Sequence, residues 1–128
     1  MTVQRVGSGA PWEDVVGYCR VVRAGDLVWV SGTTGTRDGA VVEGGAAEQT
    51  RQALGNVVAA LESVGAAATD VVRTRMYVTD ISRWAEVGRV HGEFFGAARP
   101  ASAMVEVRRL IDPAMLVEVE ADAVVTAR

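Results

Sequence analysis

The sequence predicts a two-layer α+β domain, with two helices covering one face of a single mixed sheet of about six strands. Three observations carry this. Stretches 46–64 and 84–95 repeat apolar residues with a helical period. Stretches 71–79, 100–108 and 116–125 alternate with a period of two, as strands with two unlike faces do. At 128 residues the chain has the length of one domain with one core, so residues 1–128 are read as a single unit.

In chain order, Gly7, Gly9, Pro11 and Gly17 mark residues 7–17 as a loop. Two short β-branched runs, 18–24 and 27–31, are separated by Gly25-Asp26, a two-residue hairpin signal. Gly32 stops the second run, and 33–45 is rich in turn residues, with a small hairpin at Asp38-Gly39. The first helix follows. Thr50, Leu54, Val57, Val58, Leu61 and Val64 form its apolar stripe, and Gly65 stands at the expected left-handed stop. Gly55 in mid-helix costs about 1 kcal/mol relative to Ala, which close packing on a sheet would explain.

In 71–79, Val72, Thr74, Met76 and Val78 share one face, and Arg73, Arg75, Tyr77 and Thr79 the other. Asp80 or Ser82 caps a second helix with the stripe Trp84, Val87, His91, Phe94 and Phe95, ended by Gly96. Trp84 is expected in the core. The strand–helix–strand unit 71–107 should be a parallel crossover. In the last strand, Val117, Val119, Ala121 and Ala123 alternate with Glu118, Glu120 and Asp122. One sheet face is left without helices. It is expected to carry Trp29 or its neighbours, Tyr77 and Met104 beside charged groups, too apolar a mixture for open water, so the protein should associate through it.

Composition excludes several classes. A formal charge of −3 and a pI near 5.1 argue against a nucleic-acid partner. The single cysteine, Cys19, excludes an internal disulfide, and no Cys/His cluster has zinc spacing. The acidic row Glu118, Glu120 and Asp122 has no histidine at a suitable spacing and reads as a charge network. No apolar run reaches membrane-spanning length, and Met1 leads into Thr2, Gln4 and Arg5, so a cytoplasmic protein without membrane contact is expected.

Several short segments in collinear order identify a relationship. They are Gly17-Tyr18, Val30-Ser31-Gly32, the helix segment from Glu48 to Leu54 with Asn56-Val57, Tyr77-Val78-Thr79-Asp80, Pro100-Ala101, and Leu116-Val117-Glu118-Val119-Glu120-Ala121. Together they resemble the Rid family of reactive-intermediate deaminases, formerly named YjgF, over residues 17 to 125. The resemblance implies a chorismate-mutase-like fold and a homotrimer with small-molecule clefts between subunits. It also implies hydrolysis of enamines or imines to a keto acid and ammonia, without metal or cofactor. In the family an arginine directly after the Pro-Ala holds the substrate carboxylate; here Ser102 follows Pro100-Ala101. The family's cysteine on that strand is Met104, its Gln-Ile-Pro after Ser-Gly is Thr33-Thr34-Gly35, its asparagine on the second helix is Gly88, and a later tyrosine is His91. Tyr18, Ser31 and Glu118 are retained.

The expected cleft is therefore lined by Tyr18, Ser31, Ser102, Met104 and Glu118. Glu118 is the candidate catalytic group, able to position water or ammonia and carry a proton. Tyr18 and Ser31 would orient a ligand, or else make structural hydrogen bonds. Arg75 is a candidate replacement for the missing anchor, against the plainer reading of an ion pair with Glu118, Glu120 or Asp122. His91 reads as a core or interface histidine with no nucleophile beside it, Cys19 as a small buried hydrophobe, and Trp12 as a possible cleft roof. The expected function is hydrolysis of an imine or enamine lacking an α-carboxylate. The alternative is a non-catalytic trimer that binds a metabolite or modulates an enzyme; an endoribonuclease is disfavoured by the charge.

Overall fold

The computed structural model describes residues 2–126. Eight strands, β1 Val3–Val6, β2 Val21–Ala24, β3 Leu27–Thr34, β4 Thr36–Arg37, β5 Ala40–Val41, β6 Val71–Val78, β7 Ala101–Glu106 and β8 Val117–Val124, are interleaved with three α-helices. These are α1 Pro11–Val16, α2 Ala46–Ser63 and α3 Trp84–Phe95. Six strands form one sheet in the order β1-β2-β3-β8-β6-β7; β4 and β5 make the separate small hairpin. Only β6 and β7 pair in parallel, joined through α3 as a crossover requires. The expected α+β sandwich with two long helices on one sheet face is present.

The patterns explain the layers. In β8 every second residue from Val117 to Ala123 is buried. Those side chains meet Leu54, Val57 and Leu61 of α2 and Val87, Val90 and Phe95 of α3 in a single core. The hairpin at Gly25-Asp26 pairs Ala24 with Leu27, and Gly25 takes a left-handed φ of 59°. Gly65 likewise has φ 80° just beyond α2, as its place in the sequence requires.

Several expectations are corrected. The 7–17 segment contains α1, started by Pro11 and closed by a left-handed Gly17. The run 18–24 is strand only from Val21, and an additional edge strand, β1, pairs with it. Trp84, the first residue of α3, is 63% exposed and so lies outside the core. Nothing lies within 4 Å of a Cβ built on Gly55, so close packing does not account for that glycine. A bulge between Val71 and Arg73 turns Val72 outward, away from the face of Thr74, Met76 and Val78. Met104 pairs with the buried Met76 and packs against the core, while Val105 faces outward, so Met104 is not on the uncovered face. Trp29 and Tyr77 do stand on that face: Trp29 pairs with Asp122, and Tyr77 with Glu118.

Candidate functional site

The geometry of the site begins in β3. Val30 pairs with Ala121 and Thr33 with Val119, so three steps along β3 oppose two along β8 and Ser31-Gly32 is a bulge. Arg20 fastens it from the side. Its Nη1 donates to the carbonyl oxygen of Gly32 at 2.5 Å and to Thr33 Oγ1 at 3.0 Å. Its Nη2 lies 3.7 Å from Glu13 Oε2, and Glu13 in turn accepts from the backbone N–H and hydroxyl of Ser8. Burial opposes ionisation of Glu13, but the Ser8 hydrogen bonds and the Arg20 charge outweigh it and hold the carboxyl below its ordinary value. Ser31 donates its hydroxyl to the carbonyl of Cys19 at 2.7 Å.

The bulge exists beside a carboxylate. A Cβ on Gly32 would stand 2.5 Å from Glu118 Oε2 and 2.9 Å from its Cδ. Gly32 has no positive φ, so what its position demands is space: the Glu118 carboxyl rests where a side chain would be. Burial, reinforced by the neighbouring Glu120, raises the Glu118 pKa, with Arg20 opposing. A half-buried carboxyl whose pKa is raised holds its proton more readily than a free one and can act in proton transfer. It opens on a groove of about 1060 Å³ lined by Trp12, Tyr18, Arg20, Ser31, Gly32 and Glu118, among others. Among the described residues the Tyr18 hydroxyl has no hydrogen-bond partner, and the Arg20 guanidinium lies 5.7 Å from the centre of the Tyr18 ring. The positive charge of Arg20 acts on this carboxyl, yet its Nη1 is committed to the main chain and its Nη2 faces Glu13.

The remaining expected site residues lie elsewhere. Ser102 pairs with Thr74 and Met104 with Met76, placing both on the helix-covered side of the edge strand β7. Glu118 is on the opposite side of the sheet. Within one chain the predicted residues thus form two groups, Tyr18, Ser31 and Glu118 in the groove, and Ser102 and Met104 at the β7 edge. Arg75 stands on the open face 3.4 Å from Asp122 Oδ2, an ion pair, and does not line the groove. Tyr77 donates to Glu120, so two members of the acidic row, Glu120 and Asp122, have partners on the same face. Trp12 lines the groove as its position before Tyr18 suggested. Cys19 is only partly buried and donates weakly to the Val21 carbonyl.

Two features were not singled out from the sequence. Arg20 follows Tyr18 by two residues, on the approach to β2, and its counterpart Glu13 sits in a segment read as loop. Thr74 is fully buried, and its Oγ1 lies 2.8 Å from His91 Nε2 and 2.7 Å from Ser102 Oγ. The signal was present: Thr74, Ser102 and His91 all occupy core-directed positions in a strand–helix–strand unit. His91 thus has Thr74 beside it and reaches Ser102 only through that hydroxyl.

The pattern of the family described as Endoribonuclease L-PSP matches residues 10–125. An uncharacterised protein of Streptomyces coelicolor is 41% identical over 94% of this chain and 91% of its own. The human 2-iminobutanoate/2-iminopropanoate deaminase is 31% identical over 95% of this chain and 90% of its own. Among solved structures, a Mycobacterium tuberculosis member of the YjgF/YER057c/UK114 family superposes with a TM-score of 0.89 at 54% identity, covering 97% of this chain and all of that one.

Proposed function

The chain belongs to the endoribonuclease L-PSP (Rid/YjgF) family, and from that premise we propose that it hydrolyses a reactive imine or enamine lacking an α-carboxylate. One observation carries the reading: the Glu118 carboxyl, raised in pKa by burial, lies on the bare backbone of Gly32 in a groove shared with Tyr18 and Ser31. In the protonated form Glu118 delivers a proton to the substrate nitrogen; as the carboxylate it takes one from the attacking water. Tyr18, with its hydroxyl unengaged, orients the polar end. The nitrogen leaves as ammonia and a carbonyl compound remains.

The substrate class follows from the residues at the edge of β7. The family's anchoring arginine would stand at Ser102, and neither Arg20 nor Arg75 offers a free guanidinium in its place. Loss of a charge-assisted anchor costs about 2–5 kcal/mol, so imino acids should be poor substrates and neutral imines good ones. Because Ser102 and Met104 lie on the other side of the sheet from Glu118, the complete cleft is assembled between adjacent copies of a homotrimer.

The test generates the imine in situ with an amino-acid oxidase acting on an amino acid, or with an amine oxidase acting on a neutral amine, and follows ammonia release. Acceleration with the neutral imine that disappears in Glu118→Gln supports the reading. Equal acceleration of the imino acid would overturn the substrate class. A second reading, ligand binding without turnover, is favoured by the structural duty of Ser31 and Arg20, both tied to main-chain carbonyls. A tight ligand in a thermal-shift screen with no ammonia released from any imine would select it.

A further inference from the structure

Ser102, Thr74 and His91 form a chain of hydrogen-bonding groups with an unusual constraint. Thr74 is fully buried, and among the described residues its hydroxyl has two polar side-chain neighbours, Ser102 Oγ at 2.7 Å and His91 Nε2 at 2.8 Å. A hydroxyl carries one proton. Thr74 therefore donates to one neighbour and accepts from the other; accepting from both would leave its own proton buried and unpaired, which is costly. In one arrangement Ser102 donates to Thr74 and Thr74 to an unprotonated Nε2, leaving Ser102 with only lone pairs to offer outward. In the other, Nε2–H donates to Thr74 and Thr74 to Ser102, leaving the Ser102 O–H free. Both are neutral and differ by the tautomer of His91.

The surroundings keep it so. Burial lowers the His91 pKa, and the ring of Phe95, itself buried, lies 5.1 Å from the imidazole at a tilt of 58°. At the other end Ser102 is exposed on β7, which has no strand on its outer side.

We propose that His91, acting through Thr74, is a positioning residue that sets whether Ser102 donates to or accepts from a bound ligand, so that the β7 edge receives small carbonyl, imine or protonated imine groups. A carbonyl oxygen, which only accepts, draws the wire into the Nε2–H form. A protonated nitrogen, which only donates, draws it into the Nδ1–H form. The same hydroxyl can thus face an imine nitrogen and the carbonyl oxygen that replaces it after hydrolysis. This inference rests on the preceding reading in placing ligand at Ser102, but not on turnover.

The chain contains one histidine, so uniform histidine ¹⁵N labelling gives a single pair of ring signals. The probes are N,N-dimethylpyruvamide, an acceptor, and isopropylammonium, a donor, each titrated into the intact protein at constant pH. The expected result is movement of the two ring nitrogens in opposite senses, with Nε2 becoming more pyrrole-like for the acceptor and more pyridine-like for the donor. In Thr74→Val the backbone amide of Ser102 should still respond while the ring signals stay fixed; Thr74→Ser should restore the response. Should Thr74→Val fail to fold, Ser102→Ala, at an exposed position, must also abolish it. A ring that ignores both probes, moves the same way with both, or responds unchanged in Thr74→Val or Ser102→Ala overturns the proposal. Neither result depends on ammonia release, so loss of the hydrolysis reading and loss of this one are separately visible.

Discussion

Gly32→Ala tests the geometry of the groove directly. The added methyl would start 2.5 Å from Glu118 Oε2, whereas ordinary van der Waals contact begins at 3.4 Å, so the carboxyl must retreat by about 0.9 Å. The obstructing atoms are the far end of a flexible side chain, and Gly32 is not in the left-handed region, so the fold should survive. Overpacking sets the stability loss at about 1–3 kcal/mol at most. A misplacement near 1 Å in a reacting group costs roughly 100-fold in rate, so ammonia release from a neutral imine should fall by about two orders of magnitude while the protein remains folded. Urea denaturation and the coupled assay, run on the same preparation, separate the two. An undiminished rate, or a crystal structure of the variant with the carboxyl in its original place, would refute the reasoning.

Two further outcomes follow from side chains that bridge distant segments or change charge. Gln49 accepts from the Leu116 N–H and donates to the Ala114 carbonyl, both at 2.8–2.9 Å, tying α2 to the approach of β8. Gln49→Leu keeps the volume but strands both groups, at about 1–3 kcal/mol each, read as a lower urea midpoint; an unchanged midpoint would show that water replaces the amide without loss. Glu118 has a folded-state pKa above its ordinary 4.5. The stabilising effect of its protonated form is complete below that ordinary value and lost as pH rises through the folded one. Glu118→Gln should therefore match the parent near pH 4 and exceed it in stability near pH 7, and an equal difference at both pH values would remove the case for a strained carboxyl.

How much of this was legible depends on what each residue answers to. The helices and β8 were readable because burial on one face imposes a period, and Val117, Val119, Ala121 and Ala123 obey it without interruption. Met104 was misplaced because β7 is mostly exposed on both faces, so apolar Val105 and apolar Met104 compete for the inward side with nothing in the pattern to decide between them. Register against β6 decides it, and register is a long-range property. Val72 failed for a related reason: a bulge resets the alternation by one residue and leaves no local mark. In the site, Glu118 and Ser31 were identified by motif. The arginine that holds the bulge was not, because the carbonyls it serves, on Ser31 and Gly32, are 11 and 12 residues away.

The uncovered sheet face provides the last argument. Leu27, Trp29, Val72 and Val105 are 45%, 42%, 47% and 48% exposed. Part of the polar set among them is already engaged within the chain, Arg75 with Asp122 as an ion pair and Tyr77 with Glu120 as a hydrogen bond. Covering a face costs most when it strands an unpaired charge; here Arg75, Asp122 and Glu120 would enter an interface with partners in place, while the apolar groups gain about 25 cal/mol for each Å² removed from water. Assembly through this face is thus favoured by the same alternation that builds β8. Trp29→Glu reverses both terms, deleting the largest apolar group of the four and setting a carboxylate directly opposite Asp122. Sedimentation velocity should show the parent as a trimer and the variant as a monomer with an unchanged far-ultraviolet circular dichroism spectrum. A variant that remains trimeric would mean that the copies meet elsewhere, and that the groove of Glu118 must do its chemistry without the β7 edge of a neighbour.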